Sequence, residues 1–294
     1  MNASALRLPL ASTFVAALLG GFAAEAQKLP VRWDELVASD WKAALEKSKY
    51  TCLLPIGVLE KHGPHVPVGA DLFSSQFRGK AAAEKEYVVV FPEYYFGQIY
   101  EAKYAPGTVA YPPKLIWDLL QATLDEIGRN GFKKIVIYST HGGNPHWLRF
   151  FIQAQLEKRR DYVVYYYDPK PDPEFTSEYI KHRKTPLQGD EHAGERETST
   201  NLLMHPDLVK MDRAKDEDGS DQNRLEHLPD FWTGVSWYSR FPNHYAGVGS
   251  AATVELGQWW DIRQTQKLAD AILKVKNDQI TPKIQEENYQ RQLK

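Results

Sequence analysis

The stretch IWDLLQATLDEIGRNGFKKIVIYSTHGGNPHWLRFFIQAQLEK, residues 116–158, decides the fold class because helix and strand patterns alternate within it. Apolar residues recur at helical spacing over residues 116–129, and Gly131 ends that helix. Residues 135–138 are an unbroken apolar run, which predicts a buried strand, and helical spacing returns over residues 146–158. This succession of helix, strand and helix is typical of an α/β domain.

Apolar runs on either side of this stretch predict further strands at residues 52–58, 87–91 and 162–167. Because strands and helices alternate along the chain, we predict a mostly parallel sheet with helices on both faces. Residues 168–189 and 212–229 are rich in charge or proline and predict long surface loops. Residues 264–278 predict a closing helix, and the polar tail after Pro282 predicts a frayed end.

The first 26 residues predict a secretory signal peptide rather than part of the fold. Arg7 precedes an apolar core over residues 14–24, and Ala24-Glu25-Ala26 has the small-x-small pattern of a cleavage site. The apolar run is too short to cross about 30 Å of hydrocarbon. We therefore expect cleavage after Ala26, a secreted or periplasmic protein without stable membrane insertion, and a single domain over residues 27–294. An uncleaved tether is the alternative.

Composition excludes several classes of protein and site. The chain has 294 residues, of which 43% are hydrophobic and 25% charged, the ordinary range for a globular protein. Its 36 basic and 38 acidic residues show no basic excess, so nucleic acid is not an expected partner. The single cysteine, Cys52, excludes an internal disulfide and a cysteine-rich zinc site. The nine histidines remain for metal binding or acid–base chemistry.

The loop after the first predicted strand, residues 57–71, contains Glu60, His62 and Asp71. Glu60 and His62 are two residues apart, so in an extended loop their side chains face the same side. Glycine and proline residues bend the loop, which would return Asp71 to them. Carboxylate and imidazole suit a divalent ion such as zinc or manganese. The alternative is a polar turn with a surface histidine.

Two more segments have the same character. His141-Gly142-Gly143-Asn144 follows the strand at 135–138, where parallel sheets bind ligands, and the glycines leave room for a metal or substrate. The third, residues 190–199, contains a histidine and several acids, of which those near a helix start have the alternative role of stabilising its N-terminus. Scatter of nine histidines would place about one in the three segments, but four lie there: His62, His65, His141 and His192. This clustering predicts a metal-dependent hydrolase.

In their order and spacing, the three motifs resemble those of the creatininase family of amidohydrolases, over about residues 33–257. The resemblance implies a three-layer α/β/α fold, often a homo-hexamer, and a centre of commonly two divalent ions (zinc, manganese, with iron a further option). It implies cleavage of a non-peptide C–N amide bond in a small molecule, and our hypothesis for the mechanism is attack of a metal-bound hydroxide on the amide carbon. The metal ligands it implies are Glu60, His62, Asp71 as the bridge, His141 and Glu197. It also implies acid–base chemistry by His192, assisted by Glu191.

The sequence departs from the creatinine-cleaving members at two positions. Those members place a glutamate ligand where this chain has Gly143, and an aromatic residue where it has Gln188. The resemblance therefore predicts the hydrolytic chemistry without predicting creatinine as the substrate. The alternatives are a deformylase or peptidase on the same scaffold, or a secreted binding protein without catalysis.

Overall fold

The computed structural model describes residues 28–292, and a four-stranded parallel sheet lies at its centre. The strands, in the order β2-β1-β3-β4, are β1 Thr51–Ile56, β2 Val89–Val90, β3 Lys134–Ser139 and β4 Val163–Tyr166. All of β1 and all of β3 except Ser139 are buried, as expected for apolar strands that are covered on both faces. The predicted parallel sheet is confirmed.

The described residues also form α-helices that cover this sheet. They are α1 Trp41–Lys47, α2 Ala70–Lys85, α3 Pro113–Arg129, α4 Pro145–Ala154, α5 Pro173–Lys181, α6 Glu195–Met204, α7 Ser236–Arg240, α8 Val254–Asn277 and α9 Thr281–Gln292.

The strand order distributes the helices over two faces. The chain runs from β1 outward to β2, then back past β1 to β3 and on to β4. Right-handed crossovers then place α2 on one face and α3 and α4 on the other, and α8 packs beside α2. The core takes Leu120 and Leu124 from α3, and Leu268 and Ile272 from α8. The three-layer α/β/α architecture is confirmed.

Residues 168–189, predicted as a loop, contain helix α5, so that prediction was wrong in part. Pro173 is the first helical residue, a position where the missing N–H costs nothing and the fixed φ favours the helix. The Asp172 carboxylate caps the helix by accepting a hydrogen bond from the Phe175 amide at 3.0 Å. The proline that suggested a loop is therefore a helix start.

The C-terminal region is more regular than predicted. Helix α8 begins at Val254, ten residues before the predicted start at 264, and Thr253 caps it by accepting from the Leu256 amide at 3.1 Å. Residues 282–292 belong to helix α9 and are not frayed, since Tyr289 is buried and its hydroxyl donates to the Gln155 carbonyl at 3.2 Å.

The predicted signal peptide, residues 1–26, lies outside the described residues. Within residues 28–292, no helix has both the length and the apolar character that crossing a membrane requires.

Candidate metal centre

The three motifs meet at the carboxyl edge of the sheet, beside the two central strands. The last residues of β1 and β3, Ile56 and Ser139, are paired in register. The chain leaves β1 toward β2 and leaves β3 toward β4, so the crevice between them is the point where parallel sheets place their ligands. The Thr140 hydroxyl donates to the Asp71 carbonyl at 2.7 Å and joins the two loops.

The loop between β1 and α2 folds back on itself. The Glu60 amide donates to the Val68 carbonyl at 3.0 Å, and Gly63 adopts φ +58°, a value that favours glycine in the turn. Helix α2 then crosses close above Gly57, where a Cβ atom would lie 2.4 Å from the Leu72 nitrogen. Asp71, in the first turn of α2, is thereby returned to the same place as Glu60 and His62.

One group of ligand atoms consists of Glu60 Oε1, Asp71 Oδ2 and His141 Nδ1, all buried. The nitrogen lies 2.7 Å from the Glu60 oxygen and 3.2 Å from the Asp71 oxygen. His141 Nε2 lies 2.9 Å from the Gln98 carbonyl; donation to it leaves the Nδ1 lone pair directed at the two carboxylates. Neither oxygen has a hydrogen-bond partner among the described residues.

These three atoms fit a metal ion. Ligands at tetrahedral zinc are separated by about 3.3 Å, given bond lengths near 2.0–2.1 Å. Three buried lone pairs that face one another at such distances repel each other unless a cation or a proton lies between them. The nitrogen and oxygen donors are also those that zinc and manganese accept.

A second group adjoins the first and contains His62, Glu197 and His192. His62 Nε2 lies 3.6 Å from Asp71 Oδ1 and 3.9 Å from Glu197 Oε2, while its Nδ1 lies 3.2 Å from the Glu60 carbonyl. Asp71 thus presents one oxygen to His141 and the other to His62, as a carboxylate that bridges two ions would. Glu197 is held at the start of α6 by the Ala193 amide, which donates to Oε2 at 2.6 Å.

His192 is buried beside this second group. Its Nε2 lies 2.8 Å from the Lys61 carbonyl, and donation there leaves Nδ1 open, 3.7 Å from Glu197 Oε2. Burial, assisted by the charge of His62, lowers the pKa of His192 to about 4, so its ring is neutral near pH 7. Glu191 is more exposed and forms an ion pair with Arg240 at 2.6 Å. Its predicted assistance to His192 stays a prediction.

Sequence reasoning missed His244, which touches the centre from a remote part of the chain. The Trp237 indole N–H donates to His244 Nδ1 at 2.9 Å. Because Nδ1 accepts, the proton of the neutral ring is on Nε2, which donates to Glu60 Oε2 at 2.5 Å. This bond occupies one oxygen of Glu60 and leaves Oε1 for the group around His141. The only sequence signal was the adjacent glycine-rich segment 245–249, which contains no acid or histidine.

His65 lies near the centre but is bonded elsewhere. Its Nε2 lies 2.9 Å from the Thr198 hydroxyl, which itself donates to the Ala193 carbonyl at 2.9 Å, so the histidine is the donor. This contact fixes the first loop to helix α6. Of the four clustered histidines, therefore, His65 has a supporting position.

The electrostatics of the metal-free centre favour protons where cations would bind. Burial lowers the pKa of His62, but the charges of Asp71, Glu60 and Glu197 outweigh it and raise that pKa to about 9. For His141 the same balance of burial against Glu60 and Asp71 raises the pKa well above its ordinary value. Burial would raise the pKa of Asp71, yet the neighbouring His62 and His141 hold it well below the usual range.

A cavity of about 720 Å³ opens onto both groups of ligand atoms. Its volume lies within the range of sites for drug-sized ligands. Aromatic side chains line it, including Trp147, Trp237 and the highly exposed Trp232, 82% of which is accessible. Gly143 also lines the cavity, whereas Gln188 is exposed and is not among the lining residues.

Comparison with known proteins identifies a family for this chain. The family model described as "Creatininase: Creatinine amidohydrolase" matches residues 34–274. The creatinine amidohydrolase of Pseudomonas putida is 27% identical over 196 residues, which cover 62% of this chain and 75% of the relative. A mycofactocin precursor peptide peptidase of Mycolicibacterium smegmatis is 31% identical over 170 residues, covering 54% and 60%. A 3-dehydro-scyllo-inosose hydrolase of Thermotoga maritima is 26% identical over 168 residues, covering 56% and 53%.

Solved structures show the same fold. A crystal structure of creatininase superposes with a TM-score of 0.72 at 22% identity, covering 85% of this chain and 99% of the other. A manganese form of creatininase gives 0.71 at 23% identity, with 85% and 100% covered. The family match over most of the sequence and this shared architecture lead to one conclusion: the chain belongs to the creatininase family.

Proposed function

We propose that this protein is a metal-dependent amidohydrolase that cleaves an amide C–N bond at a centre of two divalent ions. Glu60, Asp71 and His141 would hold one ion, and His62, Glu197 and the second oxygen of Asp71 the other. Creatininase has been solved in a manganese form and in a zinc–zinc form, which supports zinc or manganese here.

The observation that carries the proposal is the convergence of Glu60 Oε1, Asp71 Oδ2 and His141 Nδ1. Two buried carboxylate oxygens, which accept no hydrogen bond in the described part of the chain, face a nitrogen at 2.7 and 3.2 Å. Unpaired buried carboxylates are costly to a fold, so such a cluster is retained where an ion completes it. The curated relatives are named as hydrolases or peptidases, which supports hydrolysis as the reaction class.

Divalent ions in such a site supply water activation and polarisation of the carbonyl oxygen. The proton transfers fall to His192, which lines the cavity and whose Nδ1 is left unprotonated when Nε2 donates to the Lys61 carbonyl. It would take a proton from the attacking water and deliver it to the leaving nitrogen, which departs as the C–N bond breaks. The Lys61 carbonyl holds the other ring nitrogen and keeps Nδ1 directed at the reaction site.

Cleavage of a short peptide or formyl amide is the second candidate. The cavity of about 720 Å³ can accept ligands larger than a small ring amide. The peptidase of Mycolicibacterium smegmatis, at 31% identity, is consistent with this candidate. Gly143 and Gln188 stand where creatinine-cleaving members carry other residues, so we do not propose creatinine as the substrate.

Export and assembly belong to the same proposal. Residues 1–26 would act as a cleaved signal peptide, and the mature chain would work as a secreted or periplasmic homo-oligomer. N-terminal sequencing of protein secreted by the host and light scattering of the purified protein test these two points.

The proposed activity is tested by elemental analysis of the purified protein, followed by a substrate panel. The panel contains cyclic amides, with creatinine as a test compound, together with N-formyl amides and short peptides. We expect close to two equivalents of zinc or manganese and chelator-sensitive hydrolysis of at least one class. Tight binding of panel compounds by the metal-loaded protein, with no turnover of any, would instead indicate a binding protein.

A further inference from the structure

Glu101 lines the cavity and differs from Glu191 and Glu197 in its ion pairing. It belongs to the short 3-10 turn Tyr100–Ala102 between β2 and α3, and its half-buried side chain lines the cavity. Within residues 28–292 its one side-chain hydrogen bond comes from Gln98, whose Nε2 donates to it at 3.1 Å. Among the described residues it forms no ion pair, whereas Glu191 pairs with Arg240 and Glu197 with Arg196, at 2.6 and 2.8 Å. Glu101 is thus a carboxylate of the cavity wall that lacks a counter-charge.

Gly143 makes room for this carboxylate. A Cβ atom at Gly143 would lie 2.4 Å from Gln98 Nε2 and 3.0 Å from Glu101 Oε1. Gln98 Nε2 also lies 3.2 Å from the Gly143 carbonyl, so one amide group holds both the glycine backbone and the Glu101 carboxylate. A side chain at residue 143 would displace Gln98 and Glu101, and its Cβ would also lie 2.5 Å from His141 Nε2. The lack of a side chain at residue 143 therefore allows Glu101 to occupy its position.

The rest of the wall offers aromatic surface. The indole N–H of Trp147 donates to Asn144 and that of Trp237 to His244, each at 2.9 Å. Because these N–H groups are already bonded, the two rings offer a ligand aromatic surface rather than free donors. An aromatic wall with a carboxylate beside it is the arrangement that binds ammonium and guanidinium groups, through cation–π attraction and charge-assisted hydrogen bonds.

We infer that Glu101 binds a cationic nitrogen of the substrate, so that the enzyme selects amides that carry an ammonium, amidinium or guanidinium group. The inference rests on the proposed function, because it assigns a substrate class to the same cavity. It makes Glu101 a specificity residue and leaves metal binding to the residues named above.

Benzamidine and benzamide test this inference because they share size and ring, while benzamidine alone is cationic near neutral pH. Binding of each to the metal-loaded, full-length protein is measured by calorimetry, independently of any turnover. We expect benzamidine to bind at least about tenfold more tightly than benzamide. In Glu101→Gln, which keeps hydrogen bonding but removes the charge, the difference should fall to within about twofold. Metal content should stay unchanged.

Two further variants make the test specific. Gly143→Ala leaves Glu101 in the sequence but obstructs its placement, so it should also reduce the preference. Because the new Cβ would also lie 2.5 Å from His141 Nε2, the metal content of this variant is measured together with its preference. Glu46→Gln removes a carboxylate on α1 that does not line the cavity and should leave the preference intact. Equal binding of both compounds to the wild type, or an undiminished preference in Glu101→Gln, would overturn the inference. Failure of every amide to be hydrolysed would overturn the proposed function, while a Glu101-dependent preference would still support the cation site.

Discussion

Buried charged side chains have hydrogen-bond partners at one end of the central sheet and lack some of them, among the described residues, at the other. At the amino end, the Lys134 ammonium of β3 donates to the carbonyls of Val275 and Lys276, both at 2.9 Å, and so closes the end of α8. Lys276 in turn donates to the Tyr87 carbonyl at 2.7 Å. At the carboxyl end, Glu60 and Asp71 each have a buried oxygen that receives no hydrogen bond from residues 28–292.

This difference distinguishes buried charges that stabilise the fold from buried charges that are available to a ligand. Charges whose partners all come from the chain add to the folded state and need nothing from outside. A cluster whose partners are missing costs folding energy unless a ligand supplies them, and such sites are where binding and catalysis are found. The predictions that follow test whether the carboxyl end depends on an added cation and the amino end does not.

The largest effect should come from Asp71→Ala, because Asp71 contributes one oxygen to each group of ligand atoms. We expect loss of most bound metal and a fall in kcat/KM of at least about 10³-fold. Elemental analysis and steady-state kinetics measure the two effects. Asp118→Ala, at an exposed position on α3, is the control, and circular dichroism checks that both variants are folded. Full metal content with normal turnover in Asp71→Ala would remove Asp71 from the centre.

His192→Asn should have the next largest effect. If His192 transfers protons without binding metal, kcat should fall by about 10²–10⁴-fold while metal content stays constant. Inductively coupled plasma analysis, combined with kcat for any substrate of the panel, separates the two roles. Loss of one metal equivalent in this variant would make His192 a ligand instead.

The affinity for metal should rise with pH, because the ligand histidines must lose protons when an ion binds. Since the pKa of His62 is raised to about 9 in the metal-free protein, an ion binding near pH 7 must displace its proton. The apparent affinity should therefore rise with pH, by about tenfold per pH unit for each proton displaced, and the contribution of His62 should level off above about pH 9. Calorimetry in two buffers of different ionisation enthalpy measures the released protons. An affinity independent of pH between about 6 and 8 would contradict protonated ligands in the metal-free state.

The smallest effect on activity should come from the amino end. Lys134→Met removes the donor to two carbonyls at the end of α8 and should lower the free energy of unfolding by about 1–3 kcal/mol. Denaturant unfolding measures this loss, and kcat and metal content should not change. Lys133→Met, at an exposed neighbour, should stay within about 0.5 kcal/mol of the wild type. A loss of metal in Lys134→Met would mean that the two ends are coupled.

The parallel sheet and the position of the centre followed from local patterns. Apolar runs marked the central strands, and the Gly-rich segments after residues 56 and 139 marked the ligand loops at their carboxyl ends. Helix α2 gave no such pattern because its buried side includes Ser74, Ser75 and Arg78, so its contacts are polar and tertiary. A helix of that kind has no apolar periodicity from which it could be predicted.

His244 shows why the rest of the centre was beyond sequence reasoning. It contacts Glu60 across 184 residues of chain, and its role depends on Trp237, which fixes the tautomer. Neither fact leaves a spacing that can be recognised locally. Tertiary contacts of this kind become visible only when the loops after several strands are folded against one another.

The histidines of the centre are oriented by main chain, and this has a consequence for evolution. The outward nitrogens of His62, His141 and His192 face the carbonyls of Glu60, Gln98 and Lys61. Substitution can remove a side-chain acceptor, but it cannot delete a peptide carbonyl. The cavity wall can therefore change, for example at residue 143, without loss of the carbonyls that orient the histidines at its base. Such a separation lets one ancestral centre diversify toward many substrates by altering its walls alone.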